Sequence, residues 1–230
     1  MAEPVFYACS IPLSEQRSAL RADVGRSAAQ RIESIPGVDR LPADQAQVYV
    51  MNDFLGPEQC AILVGLIDAG SQPSDLFEAE KFQGYRTSSS CNLDRLHPSV
   101  LQTELAICGL LGLDPAHGEA LQGQRYEAGQ EFKHHADFFY IDQPYWEEVK
   151  PHGGQRTWTA MIYLDEPESG GATHFPHLEV TVVPKRGRLL AWNNMDGEGA
   201  PNSWTIHEGQ PVGSGTKHIV TKWFREARWA

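Results

Sequence analysis

From Glu119 to the C-terminus, the chain divides into short apolar or alternating runs separated by Gly, Pro and Asn. This pattern is typical of short strands joined by turns. The chain contains 21 Gly and 15 Pro, which favours a β-rich fold over a helical bundle. We therefore expect a mainly β domain with flanking helices, built as a sandwich or barrel-like double sheet. The predicted strands are 120–127, 131–138, 157–164, 172–175, 178–183, 188–193, 203–207 and 216–225.

Helices are predicted ahead of this β region. Gly56-Pro57-Glu58 is a helix start signal, because Pro is favoured at the first helical position. The apolar residues that follow at helical spacing are Cys60, Leu63, Val64 and Ile67. A second helix is predicted over residues 98–111. Before the first helix we expect a strand over residues 47–54, and between the two helices a polar loop over residues 71–94.

Residues 1–45 are predicted to be an N-terminal helical extension, packed on a main domain of residues 46–230. The helix is expected to run from Ser14 to Ile35, with Ser14 as its N-cap. Its apolar stripe is thin, so we expect the helix to pack on the main domain and not to fold alone. The stripe consists of Leu20, Val24, Ala28 and Ile32.

The charge and the cysteines exclude some functions and predict a setting. The net charge of −11 argues against general affinity for nucleic acids or anionic membranes. No stretch approaches a membrane span, and the N-terminus has no basic region followed by an apolar core. The cysteines show no C-x-x-C spacing, so a structural zinc site of that kind is not expected. We predict a cytoplasmic protein with Cys60 and Cys108 buried.

The longest irregular segment predicted is 139–155, which is aromatic and charged. Loops of this length in a compact domain are usually functional or mobile. A lid or substrate-contacting loop and a plain surface excursion both remain open for it.

His135-Ala136-Asp137 contains the residues with the clearest chemical meaning. On a strand, residues i and i+2 point to the same face, so His135 and Asp137 are expected to project together. His207, from a distant strand, completes two imidazoles and one carboxylate, which is the ligand set of a non-haem Fe(II) site with open positions. His134 and His174 have the opposite strand parity and are expected to face outward.

A series of motifs surrounds these ligands in order along the chain. It begins with Tyr126-x-x-Gly129-Gln130-x-Phe132-x-x-His135-x-Asp137 and ends with His207-Glu-Gly-Gln-Pro-Val212, Gly215-Thr-Lys217 and Thr221-Lys-Trp223-Phe. Between them lie Arg156-Thr-Trp-Thr159, Gly170-Gly-Ala-Thr173-His-Phe-Pro176 and Pro184-Lys-Arg-Gly187. Over residues 45–228, the chain resembles 2-oxoglutarate- and Fe(II)-dependent dioxygenases of the prolyl 4-hydroxylase-like branch.

The resemblance implies a double-stranded β-helix (jelly-roll) core and a set of site residues. It implies that His135, Asp137 and His207 bind Fe(II), and that Lys217 pairs with the distal carboxylate of 2-oxoglutarate. The hydroxyl groups expected to support that ion pair, and the residue expected near the metal-bound end of the cosubstrate, are Tyr163, Thr173 and Tyr126.

The residues themselves agree with a dicarboxylate site. Lys217 shares one face of the predicted strand 216–225 with Ile219, Thr221 and Trp223. A buried lysine needs a partner, because an isolated buried charge is costly. A dicarboxylate bound to a metal at one end would provide that partner at the other end.

The resemblance also implies the reaction and the substrate contacts. The reaction uses O2, decarboxylates 2-oxoglutarate to succinate and hydroxylates an unactivated C–H bond, with ascorbate as a possible reductant. The expected substrate is a prolyl residue in a peptide or protein, and the alternative is a free amino acid or other small molecule. The residues expected near the substrate are Arg86, Ser88, Phe132, Arg156 and Trp223.

The chain departs from the family pattern at three positions that bear on prolyl-peptide specificity. Phe132 stands where many peptide-hydroxylating members have Tyr, and Arg225 stands where some have His. His218 replaces the Trp that often follows the lysine. None of the three changes a predicted metal ligand or Lys217.

Two hypotheses without the oxygenase reaction remain open. Two histidines and an aspartate also bind zinc, as in a hydrolase on a similar barrel, although the chain has no HExxH helix to supply a general base. The second hypothesis is a non-catalytic binding module that keeps the barrel.

Overall fold

A computed structural model of the chain describes residues 10–74 and 85–229. Helices α1 to α4 cover Ala19–Glu33, Pro57–Gly70, Pro98–Leu111 and Trp146–Val149. Strands β1 to β7 cover Val38–Arg40, Val48–Met51, Gln72–Pro73, Ser89–Asn92, Gln122–Tyr126, Phe132–His135 and Arg156–Tyr163. Strands β8 to β14 cover Ser169–Gly170, Thr173–Phe175, Val180–Val182, Leu189–Asn193, His207–Gly209, Val212–Ser214 and Lys217–Arg225.

Two sheets enclose the interior that carries the site. The larger has the strand order β1-β2-β11-β7-β14-β5-β4-β3, and the smaller has the order β10-β9-β12-β6. Apolar side chains from both sheets pack together between them, among them Tyr163, Phe175 and Trp192. A second core lies on the opposite face of the large sheet, where α1, α2 and α3 pack against β7, β11 and β14. The large sheet is therefore buried on both faces.

Helices α2 and α3 begin and end close to their predicted bounds. Both have Pro at the first helical position, and α3 ends at Gly112 in a left-handed conformation, as C-caps often do. Cys60 and Cys108 are buried, as predicted, and Cys91 is partly exposed. These three cysteines are free thiols.

The predicted start of α1 is wrong. Ser14 lies in a short 3-10 turn, and Ser18 caps the helix by accepting a hydrogen bond from the Arg21 N–H. Leu20 is exposed, whereas Gly25 faces the sheet, where a Cβ would lie 2.7 Å from Asn193 Nδ2. Small residues let α1 approach the sheet closely, so the helix buries its small face. The predicted boundary between residues 45 and 46 stays a prediction, and β1, inside the predicted extension, pairs with β2.

The strand prediction fails in two segments. Residues 203–207 do not form one strand: Asn202 caps a 3-10 turn over Ser203–Thr205, and β12 begins only at His207. The predicted polar loop 71–94 contains β3 and β4, which pair with each other beside β5; its residues 75–84 lie outside the described part. Polar strands at a sheet edge lack the apolar alternation that would mark them.

The segment 139–155 is more ordered than predicted, because it contains α4 and a 3-10 turn. The side chain of Gln155 fastens its base, accepting from the Phe139 N–H at 2.6 Å and donating to the Phe139 carbonyl at 2.8 Å. Its role as a lid stays a prediction. Across the described residues, we find no helix with the length and apolarity needed to span a membrane.

Candidate active site

The three predicted metal ligands lie together. One ligand atom from each of His135, Asp137 and His207 falls within 4.8 Å of the other two. Their convergence follows from strand pairing, since His207 on β12 is directly opposite His135 on β6. Asp137 follows β6 and reaches the same point.

Both histidines are oriented for metal binding by their backbone contacts. Nδ1 of His135 lies 2.8 Å from the Lys133 carbonyl, and Nδ1 of His207 lies 3.0 Å from the Thr205 carbonyl. A proton on each Nδ1 leaves the Nε2 lone pair free, which is the usual arrangement in metal-binding histidines. Burial, and then the nearby His207, lower the pKa of His135 well below its ordinary value. A neutral imidazole is the form that binds a metal.

The predicted outward histidines do not join the cluster. His134 lies 3.3 Å from Glu208 on the other side of the strand. His174 contacts the Thr181 hydroxyl and the Val180 carbonyl. The structure therefore places His135, and not its neighbour His134, in the cluster.

The carboxylate of Asp137 is held by a buried chain of hydrogen bonds. The Thr159 hydroxyl donates to Asp137 Oδ2 at 2.7 Å, and Asn194 Nδ2 donates to that hydroxyl oxygen at 2.9 Å. One carboxylate oxygen is thereby oriented by the protein, while Oδ1 remains for a metal ion.

Replacing Thr159 with Val is expected to weaken metal binding about 10- to 100-fold, because it removes the group that orients Asp137. Titration of the apo-protein with Fe(II) or Co(II) measures the effect. Thr157→Val is the matched control, since the Thr157 hydroxyl on the same strand bonds to the Phe224 carbonyl, away from the cluster. Equal metal affinity in the two variants would show that Thr159 has no such role.

Lys217 lies in the same cavity as the histidines. The cavity has an empty volume of about 440 Å³, a figure that includes the solvent at its open mouth. It brings together most of the predicted site residues: Arg86, Tyr126, Phe132, His135, Asp137, Thr173, His207, Lys217 and Trp223. Residues of the wall that were not predicted are Gln124, Met161, Trp192 and Gly209.

In the part of the chain that the structure describes, Lys217 is a buried cation without an acidic partner. It is 1% exposed, and Nζ donates to the Gly171 carbonyl at 3.0 Å and lies 4.2 Å from the centre of the Tyr126 ring. Within the described residues, no carboxylate forms an ion pair with it. Burial, only partly opposed by the charge of Asp165, lowers the pKa of Lys217 to about 7. A carboxylate bound here would restore the charge, so the residues present fit a dicarboxylate with one end on a metal.

Tyr126 and Thr173 line the same cavity as Lys217, and Tyr163 is hydrogen-bonded to Thr173. The Tyr163 and Thr173 oxygens are 2.6 Å apart, and Tyr163 donates to the Val182 carbonyl at 3.0 Å. Thr173 lines the cavity, whereas Tyr163 lies behind it. The Tyr126 ring faces Lys217 and its hydroxyl donates to Gln124 Oε1 at 2.8 Å. Gln124 has the strand parity of Tyr126, and that signal in the sequence could have identified it.

The predicted substrate residues divide into two groups. Arg86, Phe132 and Trp223 line the cavity, and Phe132 stacks on His135 with ring centres 3.6 Å apart. Ser88 is buried and accepts a hydrogen bond from Arg86 Nε. Arg156 lies behind the wall, with its guanidinium 4.1 Å from the centre of the Trp223 ring.

Arg156 belongs to a buried charge cluster. Its Nε and Nη2 donate to both oxygens of Glu119 at 2.6 and 2.7 Å, and Arg225 Nε donates to Glu119 at 2.5 Å. Burial alone would raise the pKa of Glu119, but Arg156 and then Arg225 hold it below its ordinary value. Arg156 is therefore ion-paired with Glu119, and it contacts the cavity wall through the Trp223 ring.

Glu119→Gln is expected to lower the free energy of unfolding by about 3 kcal/mol, because it leaves two buried guanidinium groups without a carboxylate. Chemical denaturation at neutral pH measures the change. Glu58→Gln, at an exposed position in the first turn of α2, is the control. A loss in Glu119→Gln no greater than in this control would contradict the cluster's structural role.

Comparison with known proteins gives the same family throughout. A family model described as the 2OG-Fe(II) oxygenase superfamily matches residues 121–225. Probable prolyl 4-hydroxylase 3 of Arabidopsis thaliana is 30% identical over 203 residues, covering 78% of this chain and 69% of the relative. Prolyl 4-hydroxylase 1 of the same plant is 31% identical over 202 residues, with the same coverage of both chains.

A solved structure extends the similarity to the fold. The viral collagen prolyl hydroxylase of Paramecium bursaria Chlorella virus-1, solved in complex with 2OG, superposes with a TM-score of 0.60 at 25% identity. The match covers 77% of this chain and 95% of the viral one. The predicted jelly-roll core is thus confirmed.

These matches confirm the predicted reaction class and cofactors. The protein is a dioxygenase that uses Fe(II), 2-oxoglutarate and O2. The chain belongs to the 2-oxoglutarate/Fe(II)-dependent oxygenase superfamily, in its prolyl 4-hydroxylase-like branch.

Proposed function

We propose that this enzyme hydroxylates a prolyl residue in a peptide or protein. The reaction consumes the prolyl C–H bond, O2 and 2-oxoglutarate, and gives the hydroxylated residue, succinate and carbon dioxide. The observation that carries the proposal is that one cavity holds His135, Asp137 and His207 together with the buried cation of Lys217. The prolyl substrate is supported by the plant and viral relatives, which are named as prolyl hydroxylases.

The roles of the site residues follow from their contacts. His135 and His207 would bind Fe(II) through Nε2, and Asp137 through the carboxylate that Thr159 orients. Lys217 would hold the distal carboxylate of 2-oxoglutarate. Bound Fe(II) and 2-oxoglutarate supply the oxidising chemistry, so no side chain is required as a general base.

The wall of the cavity around Phe132 would receive the substrate. Phe132 covers one face of the His135 ring, and Trp223 is held from behind by Arg156. The Trp223 Nε1–H is buried, and no group of residues 10–74 or 85–229 accepts a hydrogen bond from it. Because an unsatisfied buried donor is costly, a substrate carbonyl is its natural acceptor.

One observation favours a second candidate, the same chemistry on a small molecule that carries a carboxylate. Arg86 lines the cavity and donates to the neutral Ser88 and Gln122 side chains, and within the described residues it forms no ion pair with a carboxylate. Glu119, by contrast, neutralises Arg156. An acidic group on the substrate would supply the missing charge.

A mass-spectrometric screen of prolyl peptides and free amino acids distinguishes the two candidates. We expect peptides to gain the mass of one oxygen atom on proline, with equimolar succinate. Hydroxylation confined to free amino acids would replace the first candidate by the second. The cytoplasmic location and the use of ascorbate stay predictions.

A further inference from the structure

His218 lies in a buried hydrogen-bonded bridge directly beside Lys217. The Asp165 carboxylate accepts hydrogen bonds from the His218 backbone N–H, at 2.7 Å, and from the His218 ring Nδ1–H. On the other side, His218 Nε2 lies 3.1 Å from Asp68 Oδ1. The histidine is 5% exposed. This bridge joins β14, the segment after β7, and the C-terminal turn of α2.

The bridge also anchors the segment 164–171, which supplies the Gly171 carbonyl that Lys217 Nζ contacts. The Leu164 N–H donates to the His218 carbonyl at 2.9 Å, and seven residues later the Gly171 carbonyl accepts from Lys217 Nζ. The two ends of the segment 164–171 are therefore bound to two consecutive residues of β14. Gly171 has φ +73°, and a Cβ there would lie 3.1 Å from Lys217 Cδ. The lysine side chain is thus held against this segment.

The bridge requires a charged imidazole. A neutral histidine has a single N–H, so it donates to Asp165 or to Asp68 but not to both. The other carboxylate would then face a ring lone pair. The charged groups that face His218 are Asp165, Asp68 and Arg125, which is its cross-strand neighbour and lies 3.5 Å from Asp68.

The surroundings favour that charge. Burial alone would lower the pKa of His218, but the hydrogen bond and charge of Asp165, with those of Asp68, raise it above its ordinary value of 6.5. The charge of Asp165 also favours the protonated form of Lys217. The same carboxylate therefore acts on both neighbouring cations.

We propose that Asp165 and His218 are positioning residues for the cosubstrate: they hold Lys217 and the Gly171 carbonyl in the geometry that receives the distal carboxylate of 2-oxoglutarate, and they do so while His218 is protonated. This inference rests on the role of Lys217 in the proposed function. As pH rises through the pKa of His218, one hydrogen bond of the bridge is lost and 2-oxoglutarate binds more weakly.

His218→Gln tests the proposal by a split between affinity and turnover. We expect the Kd for 2-oxoglutarate, titrated calorimetrically into Mn(II)-loaded protein at a pH where His218 is charged, to rise about tenfold. The kcat of the Fe(II) enzyme at saturating 2-oxoglutarate should not change. His97→Gln, at the N-terminus of α3, is the matched control and should bind normally.

The pH profile gives a readout that a merely structural histidine would not change. In the native protein, two cations next to each other lose their charge as pH rises, so log Kd should rise by more than one unit per pH unit. In His218→Gln only Lys217 titrates, and the slope should not exceed one. An affinity and a slope equal to those of the native protein would overturn the proposal.

Two further variants keep the outcomes distinct. If Lys217→Met loses 2-oxoglutarate binding while His218→Gln does not, the inference fails and the proposed cosubstrate site stands. If Lys217→Met binds normally, the cosubstrate site itself is wrong. Should His218→Gln not fold, Asp68→Asn, which changes a half-exposed carboxylate, takes its place. In that variant we expect the pH at which 2-oxoglutarate binding begins to weaken to be lower than in the native protein. An unchanged pH would overturn the proposal.

Discussion

Lys217→Met should raise the Kd for 2-oxoglutarate roughly a hundredfold, because removing one partner of a buried charge pair costs about 3 kcal/mol. Metal binding should be unchanged, since Lys217 contacts none of the three ligands. Anaerobic calorimetric titration of the metal-loaded protein with 2-oxoglutarate measures the loss. Lys185→Met is the control, because Lys185 is a partly exposed lysine near Asp53. Equal affinity in both variants would remove Lys217 from the site.

The affinity of the native protein for 2-oxoglutarate should also depend on pH. Burial lowers the pKa of Lys217 to about 7, and a bound carboxylate favours the charged form. Below that pH the lysine already carries its proton. Above it, binding takes up a proton, so Lys217 alone weakens binding by up to tenfold per pH unit. Titrations in buffers of different ionisation enthalpy detect this uptake.

The lowered pKa of Lys217 also affects the stability of the apo-protein. This stability rises with pH, whereas the affinity for 2-oxoglutarate falls. Between about pH 7 and the ordinary pKa of 10.5, the unfolded state binds more protons at this lysine than the folded state does. The contribution of Lys217 to the free energy of unfolding therefore rises with pH across this window. Lys217→Met should remove that rise and be more stable than the native apo-protein at pH 7. The cation thus serves binding at the expense of the stability of the apo-protein.

His135→Ala should abolish measurable turnover and weaken metal binding by more than about a hundredfold, which exceeds the effect of altering a residue that only orients a ligand. His134→Ala, one position earlier on the same strand, is the matched control. It removes only the contact with Glu208 and should keep both properties. Metal titration and succinate release measure the two effects. If His134→Ala lost metal binding instead, the strand register would be wrong.

The parts of the site that the sequence predicted are those governed by local periodicity. Strand parity places His135 with Asp137, and Lys217 with Thr221 and Trp223, because a strand with one inward face has a period of two. Helices α2 and α3 could be predicted equally well from the sequence, since Pro at the first helical position marks the start of each.

The parts that the sequence did not predict depend on distant partners or on polar side chains. Glu119 captures Arg156 from 37 positions away, and no local pattern signals that pairing. Asn202 uses its own side chain to cap a 3-10 turn, which delays β12 to His207. Strand β4, second from the edge of the large sheet, carries mostly polar residues, so it has no apolar alternation to detect.

The most direct test of the account is stoichiometry. Purified enzyme with Fe(II), 2-oxoglutarate, O2 and a prolyl peptide should form succinate and hydroxyproline in equal amounts, and Asp137→Ala should form neither. The contradicting result is a native protein that is fully loaded with iron and binds 2-oxoglutarate, yet forms no succinate with any peptide or amino acid. That result would mean that the barrel binds its ligands without catalysing their reaction.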